Sequence, residues 1–367
     1  MRAFFAMKLL HSLFFAAVAM PVAACKSARR GSLSPTMSQP SPHALLQLLL
    51  PGLLSLAAIQ VSAQTYTFTD LGTLGGISSY AYGINAAGQV VGKSAISSTS
   101  PQHAFLYSGG VMTDLDVPTG AASEAWAINA SGQITGDAWT PGFVTYFVFS
   151  SSGAGMPSLG NYDGSAAPRA INSSGQIVGY SGIGNGALLY SGGTWANLGL
   201  GGNSQALGIN SSGQIVGYNT SGGFLLTGGV GGVVTPLGVF RPNAINDSGV
   251  IVGGSYDPAQ DYVSHPYSYV SGVATRLDAP DYTGSGAALA INSFGQIVGT
   301  SGGPFIYSGG TMTNLSSLTS LPLGWALQSA TGINDAGQIV GHGVNGAGQQ
   351  HAYLLTPIPE PSTYAAI

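Results

Sequence analysis

Short apolar segments alternate along most of this chain with turns rich in glycine, asparagine and serine. The first unit contains four such segments, "AYGIN" (81–85), "QVVGKSA" (89–95), "HAFLYS" (103–108) and "VMTDLDV" (111–117). They are rich in valine, tyrosine and phenylalanine and lack the 3.6-residue period of a helix, so they are predicted to be β-strands.

The unit recurs through the chain, and an Ile-Asn pair marks each copy at steps of 36 to 46 residues. The seven asparagines are Asn85, Asn129, Asn172, Asn210, Asn246, Asn292 and Asn334. Successive apolar positions, as in "QIVG", are typical of strands buried on both faces. The pattern therefore predicts an all-β fold, a seven-bladed β-propeller with four antiparallel strands in each blade.

The two ends of the repeat region complement each other. The seventh copy supplies only three strands, the last at 351–356, and prolines follow it. The segment "YTFTDLG" (66–72) matches the fourth-strand pattern "MTDL" but has no first three strands of its own. We predict that 66–72 pairs with the last repeat and closes the ring, because this covers an otherwise open sheet edge.

The chain divides into a leader (1–64), the repeat body (65–356) and a proline-rich tail (357–367). The leader holds two apolar runs of the kind found in export signals, so it suggests two alternative starts, Met1 and Met37, with cleavage near Gln64. The segment ending at Cys25 also resembles a lipoprotein signal, in which Cys25 would carry lipid. Both interpretations predict an exported protein.

Charged residues make up only 6% of the chain. Without residues 1–64, 13 acidic and four basic residues remain, a net charge of 4 − 13 = −9. Because nucleic-acid binding needs clustered Lys and Arg, that function is not expected. After cleavage near Gln64 there would be no cysteine, and hence neither a disulfide nor a thiolate metal site.

The recurring "IN-x-x-GQIVG" followed by "HAFLYSGG-x-MTDL" resembles the HAF-type extracellular repeat, named for the sequence at His103, Ala104 and Phe105. The resemblance covers about residues 66–356. It implies a secreted bacterial repeat protein but no settled biochemical activity.

The tail "PIPEPSTYAAI" resembles the start of the PEP-CTERM sorting signal, with Pro359, Glu360 and Pro361 as its tripeptide. That family implies recognition by an exosortase at the inner membrane of a Gram-negative bacterium, often one that makes exopolysaccharide. A full signal continues as an apolar helix of about 20 residues and ends in Arg, whereas this sequence stops at Ile367. We expect either a truncated sequence or a vestigial signal, so membrane contact would come only through the leader or that helix.

No catalytic, cofactor or metal site is expected. The histidines that follow the leader, His103, His265, His342 and His351, are spread over different copies, and the carboxylates are equally scattered. Catalysis or metal binding requires such groups to converge. The repeated asparagines are explained by a structural role in turns, since Asn tolerates the left-handed conformation and bonds its own backbone.

The connections after the second and fourth strands vary among copies, whereas the other turns are short. Variable loops on a rigid scaffold are the usual place for a binding surface. The candidate residues on these loops are Trp139, Tyr162, Asp163, Tyr256, Asp257, Tyr262, Asp281, Tyr282 and Trp325. The alternative is that the aromatic residues only hold the loops against the rim.

These observations favour an exported, non-enzymatic binding module at the cell surface or in the extracellular matrix, with polysaccharide as its ligand. Two alternatives stay open: a structural or adhesive envelope protein without a small ligand, and a polysaccharide lyase or glycoside hydrolase on a propeller.

Overall fold

The computed structural model describes residues 64–98, 101–115, 122–140, 143–150, 166–182, 186–256, 263–278 and 284–359. The body from Ser62 onward is one compact unit. Its strands are β1 (Tyr66–Gly72), β2 (Ser79–Ile84), β3 (Val90–Ala95), β4 (Gln102–Ser108), β5 (Val111–Asp114), β6 (Ala122–Ile128), β7 (Gln133–Thr140), β8 (Phe143–Ser150), β9 (Ala166–Ile171), β10 (Ile177–Ser181), β11 (Gly186–Ser191), β12 (Thr194–Asn197), β13 (Gln205–Ile209) and β14 (Ile215–Asn219).

The remaining strands are β15 (Gly222–Thr227), β16 (Val233–Gly238), β17 (Arg241–Ile245), β18 (Ile251–Tyr256), β19 (Ser264–Val270), β20 (Val273–Arg276), β21 (Gly286–Ile291), β22 (Ile297–Ser301), β23 (Pro304–Ser308), β24 (Thr311–Asn314), β25 (Ala326–Ile333), β26 (Ile339–Val344) and β27 (Gln350–Pro357). A short 3-10 turn, Leu315–Ser317, follows β24.

The strands form antiparallel sheets, one for each repeat, and we number the repeats 1 to 7 by their Ile-Asn pairs. Repeats 1, 3, 4, 5 and 6 form β2–β5, β9–β12, β13–β16, β17–β20 and β21–β24, and β25–β27 together with β1 form repeat 7. Repeat 2 has three strands, β6–β8. The fold is an all-β propeller, as predicted.

The blade count differs from the prediction in one place. The described residues form six complete four-stranded blades where seven are predicted, because three strands of repeat 2 are found among them. Its fourth strand is predicted around Leu159, which lies outside the described residues.

The ring closes as the sequence predicts. Strand β1 pairs antiparallel with β27, from Tyr66 opposite Pro357 to Gly72 opposite Ala352. His351 Nδ1 lies 3.0 Å from the Asp70 carboxylate, which joins the same two strands through their side chains. Strand β1, which leads into repeat 1, therefore forms the outer edge of the repeat 7 sheet, so the first and last strands of the described propeller are paired.

The core lies between neighbouring sheets. In each pair of neighbours, the second strand of one repeat contacts the first strand of the next, and β26 contacts β2 to complete the circle. Between repeats 7 and 1, for example, Val340 and Leu354 pack with Val90, Phe105 and Leu71. The first strands also contact one another around the ring, so they form its inner wall.

Candidate functional site

The seven asparagines form a closed circle of hydrogen bonds, which we call the asparagine girdle. In every repeat the side-chain Nδ2 donates to the backbone carbonyl of the asparagine in the next repeat, at 3.0 to 3.2 Å, and Asn334 donates back to Asn85. All seven side chains are buried. The girdle links every repeat to both of its neighbours, independently of the core packing.

Each girdle asparagine also organises its own turn. Its Oδ1 accepts a hydrogen bond from the backbone N–H four residues later, as Asn210 does from Gln214. The glycine three residues after the asparagine adopts the left-handed conformation, as Gly213 does at φ 74°. The predicted turn role of the asparagine, with a following glycine that supplies the positive φ, is confirmed. The hydrogen bond between repeats was not predicted.

A β-bulge interrupts the first strand of every repeat three residues before the asparagine. In repeat 1 the strand register passes from Ala81 directly to Gly83, which leaves Tyr82 unpaired. The equivalent bulge residues are Tyr82, Trp126, Arg169, Leu207, Asn243, Leu289 and Thr331. A bulge re-aims one side chain, and here it does so in each repeat at a position where the sequence varies.

The bulge explains the glycine in the recurring "IVG". A Cβ built on Gly217 would lie 1.9 Å from the carbonyl oxygen of Gln205, and one on Gly92 would lie equally close to that of Tyr80. No side chain fits at such a distance. The invariant glycine therefore permits the bulge.

A second set of variable positions joins neighbouring repeats. The residue eight positions after the asparagine contacts the residue five positions before the next asparagine along the ring. Lys93 Nζ lies 2.7 Å from Glu124 Oε1, and Thr300 Oγ1 donates to Ser329 Oγ at 3.1 Å. The rings of His342 and Tyr80 lie 5.1 Å apart by the same rule. These contacts put variable side chains of neighbouring repeats directly against one another.

Along one part of the ring, the residues at these two sets of positions are aromatic or ionisable and lie close together. We call this group the inner-wall cluster. It consists of His342, Tyr80, Tyr82, Lys93, Glu124, Trp126, Asp137, Arg169 and Tyr180, from repeats 7, 1, 2 and 3. At the bulge positions of repeats 4 and 6 the wall carries Leu207 and Leu289 instead. One side of the ring is thus aromatic and charged, and another is aliphatic at the same positions.

Three bulge residues of successive repeats stack in the cluster. The Tyr82 and Trp126 rings are stacked with centroids 4.7 Å apart, and the Arg169 guanidinium carbon lies 4.1 Å from the Trp126 ring centroid. Arg169 Nη2 also donates to Tyr180 Oη at 2.8 Å. Such cation–π contacts hold the guanidinium in place.

The two carboxylates of the cluster are directly opposite each other on β6 and β7 and have different environments. Glu124 is ion-paired with Lys93. Asp137 accepts a hydrogen bond from Trp126 Nε1, and burial raises the pKa of its carboxyl from 3.8 to about 6. A carboxyl whose pKa is strongly shifted by burial is typical of functional sites.

His342 completes the cluster. Burial, together with the nearby Lys93, lowers the pKa of its imidazole, so it is neutral at pH 7. Its Nδ1 is buried and has no hydrogen-bond partner among the described residues. A buried polar atom without a partner is uncommon and marks a group that a ligand or water can satisfy.

The girdle turns of repeats 3 to 7 line a depression of about 250 Å³. Its lining includes Ser173, Ser211 and Ser293 together with Asp247 and Asp335. Each of these carboxylates accepts a backbone N–H of the preceding repeat at 2.9 Å. The depression is therefore polar, but its two carboxylates already bind the backbone of neighbouring repeats.

The structure describes one side chain of the candidate loop residues. Trp325 packs edge-on against Phe68 of the closing strand, with centroids 4.7 Å apart, and lies 6.0 Å from the His351 ring. It therefore helps to hold the closing strand. Tyr256 is the last residue of β18 and Trp139 is the next to last of β7, but both side chains are outside the described part. The other candidates lie outside it entirely: Tyr162, Asp163, Asp257, Tyr262, Asp281 and Tyr282.

Three of the histidines pair with acids within their own sheets rather than with one another. His103 and Asp114 lie 2.8 Å apart, and His265 and Asp278 lie 2.9 Å apart. Asp278 also binds Arg276. With His351 and Asp70, these pairs tie third strands to fourth strands or to the segment just after them.

Among the described residues no group of three His, Cys, Asp or Glu side chains could hold a metal ion. None of the described segments is a helix long and apolar enough to cross a membrane.

Sequence comparison does not assign the chain to a family. No family model matches it, and no curated protein matches it either. Solved structures resemble it in fold. The Niastella koreensis GH74 enzyme has a TM-score of 0.51 at 16% identity, with 75% of this chain and 52% of that chain covered.

Two further structures show the same distant likeness. The extracellular domain of BT4673 from B. thetaiotaomicron has a TM-score of 0.50 at 14% identity, covering 82% of this chain and 40% of that chain. The propeller domain of the trilobed protease from Pyrococcus furiosus has a TM-score of 0.48 at 10% identity, covering 83% and 100%. This chain spans about half or less of the first two. At such identities the likeness concerns the fold alone.

Proposed function

We propose that this protein is an exported, non-enzymatic propeller that binds polysaccharide at the cell surface or in the extracellular matrix, through the inner-wall cluster. The observation that carries the proposal is the Tyr82–Trp126–Arg169 stack, with carboxylates and a neutral histidine beside it. Sugars are bound through aromatic contact with their C–H faces and hydrogen bonds to their hydroxyls, and binding sites generally combine apolar walls with a few placed polar groups.

Export rests on the leader and on the resemblance to HAF-type repeats. The tail containing Pro359, Glu360 and Pro361 supports sorting by an exosortase. We also infer that repeat 2 forms a seventh complete blade, since the other six repeats each form one with four strands.

The repeat itself supplies a mild test of the site. Trp126→Leu introduces the residue that repeats 4 and 6 carry at this bulge, so the fold should tolerate it. We expect it to abolish most binding on a glycan array while changing the melting temperature by only a few degrees. The matched control, Leu289→Thr, introduces the residue of repeat 7 on the aliphatic side and should leave binding intact. Equal loss in both variants, or no glycan bound by the parent protein, would contradict the proposal.

One observation favours the enzyme alternative. Glu124, which is ion-paired with Lys93, faces Asp137, whose pKa is raised by burial. Glycoside hydrolases divide acid and nucleophile roles between two such carboxyl groups. A hydrolase and lyase screen separates the two functions: turnover that is lost in both Asp137→Asn and Glu124→Gln would establish the enzyme.

A structural or adhesive role is the remaining alternative. Capture of envelope partners that free sugars do not displace, with no glycan bound, would favour it.

A further inference from the structure

The four basic residues of the repeat body fall into two classes. Lys93 is paired with Glu124, and Arg276 is paired with Asp278. Arg169 and Arg241 form no ion pair with any described residue, and each lies over an aromatic ring instead. In a chain with so few charges, two guanidinium groups that form no ion pair within the described part are a feature to explain.

Arg241 lies beside a defined pocket at the loop end of the inner wall. Its guanidinium carbon is 4.9 Å from the Tyr218 ring centroid, and the two residues obey the same contact rule as Lys93 and Glu124. The pocket has a volume of about 210 Å³, and its lining includes Thr220 and Ser221 as well as these two side chains. A guanidinium and two hydroxyls therefore converge on one small space.

The backbone fixes the shape of this pocket. Asn219 Oδ1 accepts a hydrogen bond from Ser221 N at 2.8 Å, which holds the tight turn after β14. Gly222 has φ 118°, and a Cβ there would lie 2.1 Å from the carbonyl oxygen of Gly238. The hydroxyls are thus presented by a rigid turn.

Arg169 is held on the same wall, inside the inner-wall cluster. One of its terminal nitrogens donates to Tyr180 Oη, which leaves its other N–H groups without a partner among the described residues. Planar guanidinium groups bind carboxylates and sulfates in a two-point geometry. Stacking on Trp126 and Tyr180 fixes the plane of the group before a ligand arrives, which lowers the entropy lost on binding.

We propose that Arg169 and Arg241 each bind an anionic group of an acidic saccharide, a carboxylate or a sulfate ester. This inference rests on the proposed function and names its ligand class. The net negative charge of the repeat body opposes long-range attraction of such a ligand, so recognition depends on short-range contact with the guanidinium groups.

The groups facing Arg169 support an anionic ligand. The charge of Glu124 is balanced by its ion pair with Lys93. Asp137 is the second facing acid, and burial keeps its carboxyl protonated to a higher pH than usual. His342 is neutral. The cluster therefore gains positive charge as the pH falls through 6, and acidic saccharides should bind more tightly at pH 5 than at pH 7.5.

The test compares uronic-acid oligosaccharides with their methyl esters, which keep the sugar skeleton and lose the charge, and adds sulfated and plain dextran. Binding is measured by titration calorimetry at one fixed salt concentration. The acid forms should bind roughly ten- to a hundredfold more tightly than the esters. Arg241→Gln introduces the residue that repeat 4 carries at the equivalent position, Gln205, and should weaken binding by about tenfold. Arg169→Leu, the residue of repeats 4 and 6, should do the same.

The control is Leu289→Thr, at a bulge position without a basic group on the aliphatic side of the ring, which should bind as the parent does. Esters that bind as tightly as the acids, or arginine variants with unchanged affinity, would overturn the inference while leaving the proposed function in place. If no saccharide binds, both the inference and the proposed function are contradicted. Inorganic phosphate that competes as strongly as the oligosaccharides would identify a free-anion site and also overturn it.

Discussion

The asparagine girdle and the bulge positions lie only three residues apart in every repeat, yet one is constant and the other differs almost every time. The girdle uses the same side chain and the same two kinds of bond in all seven repeats. The bulge positions carry tyrosine, tryptophan, arginine, leucine, asparagine, leucine and threonine. The girdle holds neighbouring repeats together through the same hydrogen bonds around the ring. The bulge has the same backbone geometry in each repeat, so different side chains occupy its position without a change in the backbone.

The difference separates residues that hold the ring from residues that act on its inner wall. Loss of a girdle or closure contact should reduce stability, because the contact is buried and shared by neighbours. Exchange of bulge residues among repeats should leave stability nearly unchanged and alter binding alone. The experiments below test this division.

The largest effect is expected from removal of the closing strand. Deletion of residues 64–72 exposes the edge of β27 and removes buried Tyr66 and Leu71. Because β1 completes the sheet of repeat 7 and leads directly into repeat 1, the whole propeller should lose stability in a single cooperative transition, with a melting temperature lower by well over 10 °C, or should fail to fold.

A rearranged chain provides the control for this deletion. Ile358 N donates to Thr65 O at 2.9 Å, so the two ends are adjacent. Residues 64–72 joined after residue 358 by a short glycine-serine linker should restore the parent melting temperature. Fraying of repeat 7 alone in the deletion, with repeats 1–6 unaffected, would show that the ring does not need closure.

The next largest effect is expected at the girdle. Asn210→Ala removes the donors to Asn246 O and Gln214 Oε1 and the acceptor for Gln214 N. The loss of one buried and two partly buried hydrogen bonds should lower the free energy of unfolding by about 2–3 kcal/mol. Denaturant titration measures it. Leu207→Thr, three residues earlier at the bulge, should cost less than about 1 kcal/mol, since this position is half-buried and carries threonine in repeat 7.

A third effect depends on pH. Asp137 binds its proton more tightly in the folded state, with a pKa of about 6, than in the unfolded state, at 3.8. A carboxyl with a raised pKa favours folding most at low pH, and this contribution is lost as the pH rises from about 4 through 6. Relative to Asp137→Asn, the parent protein should lose roughly 2 kcal/mol of stability between pH 4 and pH 7.5, by the usual 1.36 kcal/mol per unit with an allowance for solvent. Parallel pH profiles for the two proteins would contradict the buried environment of Asp137.

The sequence predicts the repetitive part of this molecule well and the variable part poorly. Local rules of hydrophobic pattern and turn chemistry predict the strands, the turn at each asparagine and the ring closure at 66–72. The same local pattern recurs in each repeat, so one repeat supports the prediction made for the next. Repeat 2 shows the limit, since its first three strands are found and the predicted fourth lies outside the described residues.

The inner-wall cluster could not be found in the same way. Trp126 and Arg169 look like strand residues of separate repeats, and only the bulge and the order of repeats around the ring bring them together. One signal was present: the residue three positions before the asparagine varies while its neighbours are small or constant. By contrast Trp325, chosen for its place on a variable loop, packs on the closing strand.

The smallest effect tests whether the girdle can be improved. Six girdle asparagines donate to the Oε1 of a glutamine four residues later, but Asn246 has Val250 at that position. Val250→Gln would give Asn246 the missing acceptor in a turn whose backbone already matches the others, since Val250 N donates to Asn246 Oδ1 at 3.0 Å. We expect a gain of about 0.5–1 kcal/mol in the free energy of unfolding. The reciprocal change, Gln214→Val, should cost a similar amount in repeat 4. A loss of stability on Val250→Gln would mean that the apolar contact of Val250 with the neighbouring core outweighs the hydrogen bond, and that repeat 5 has exchanged one for the other.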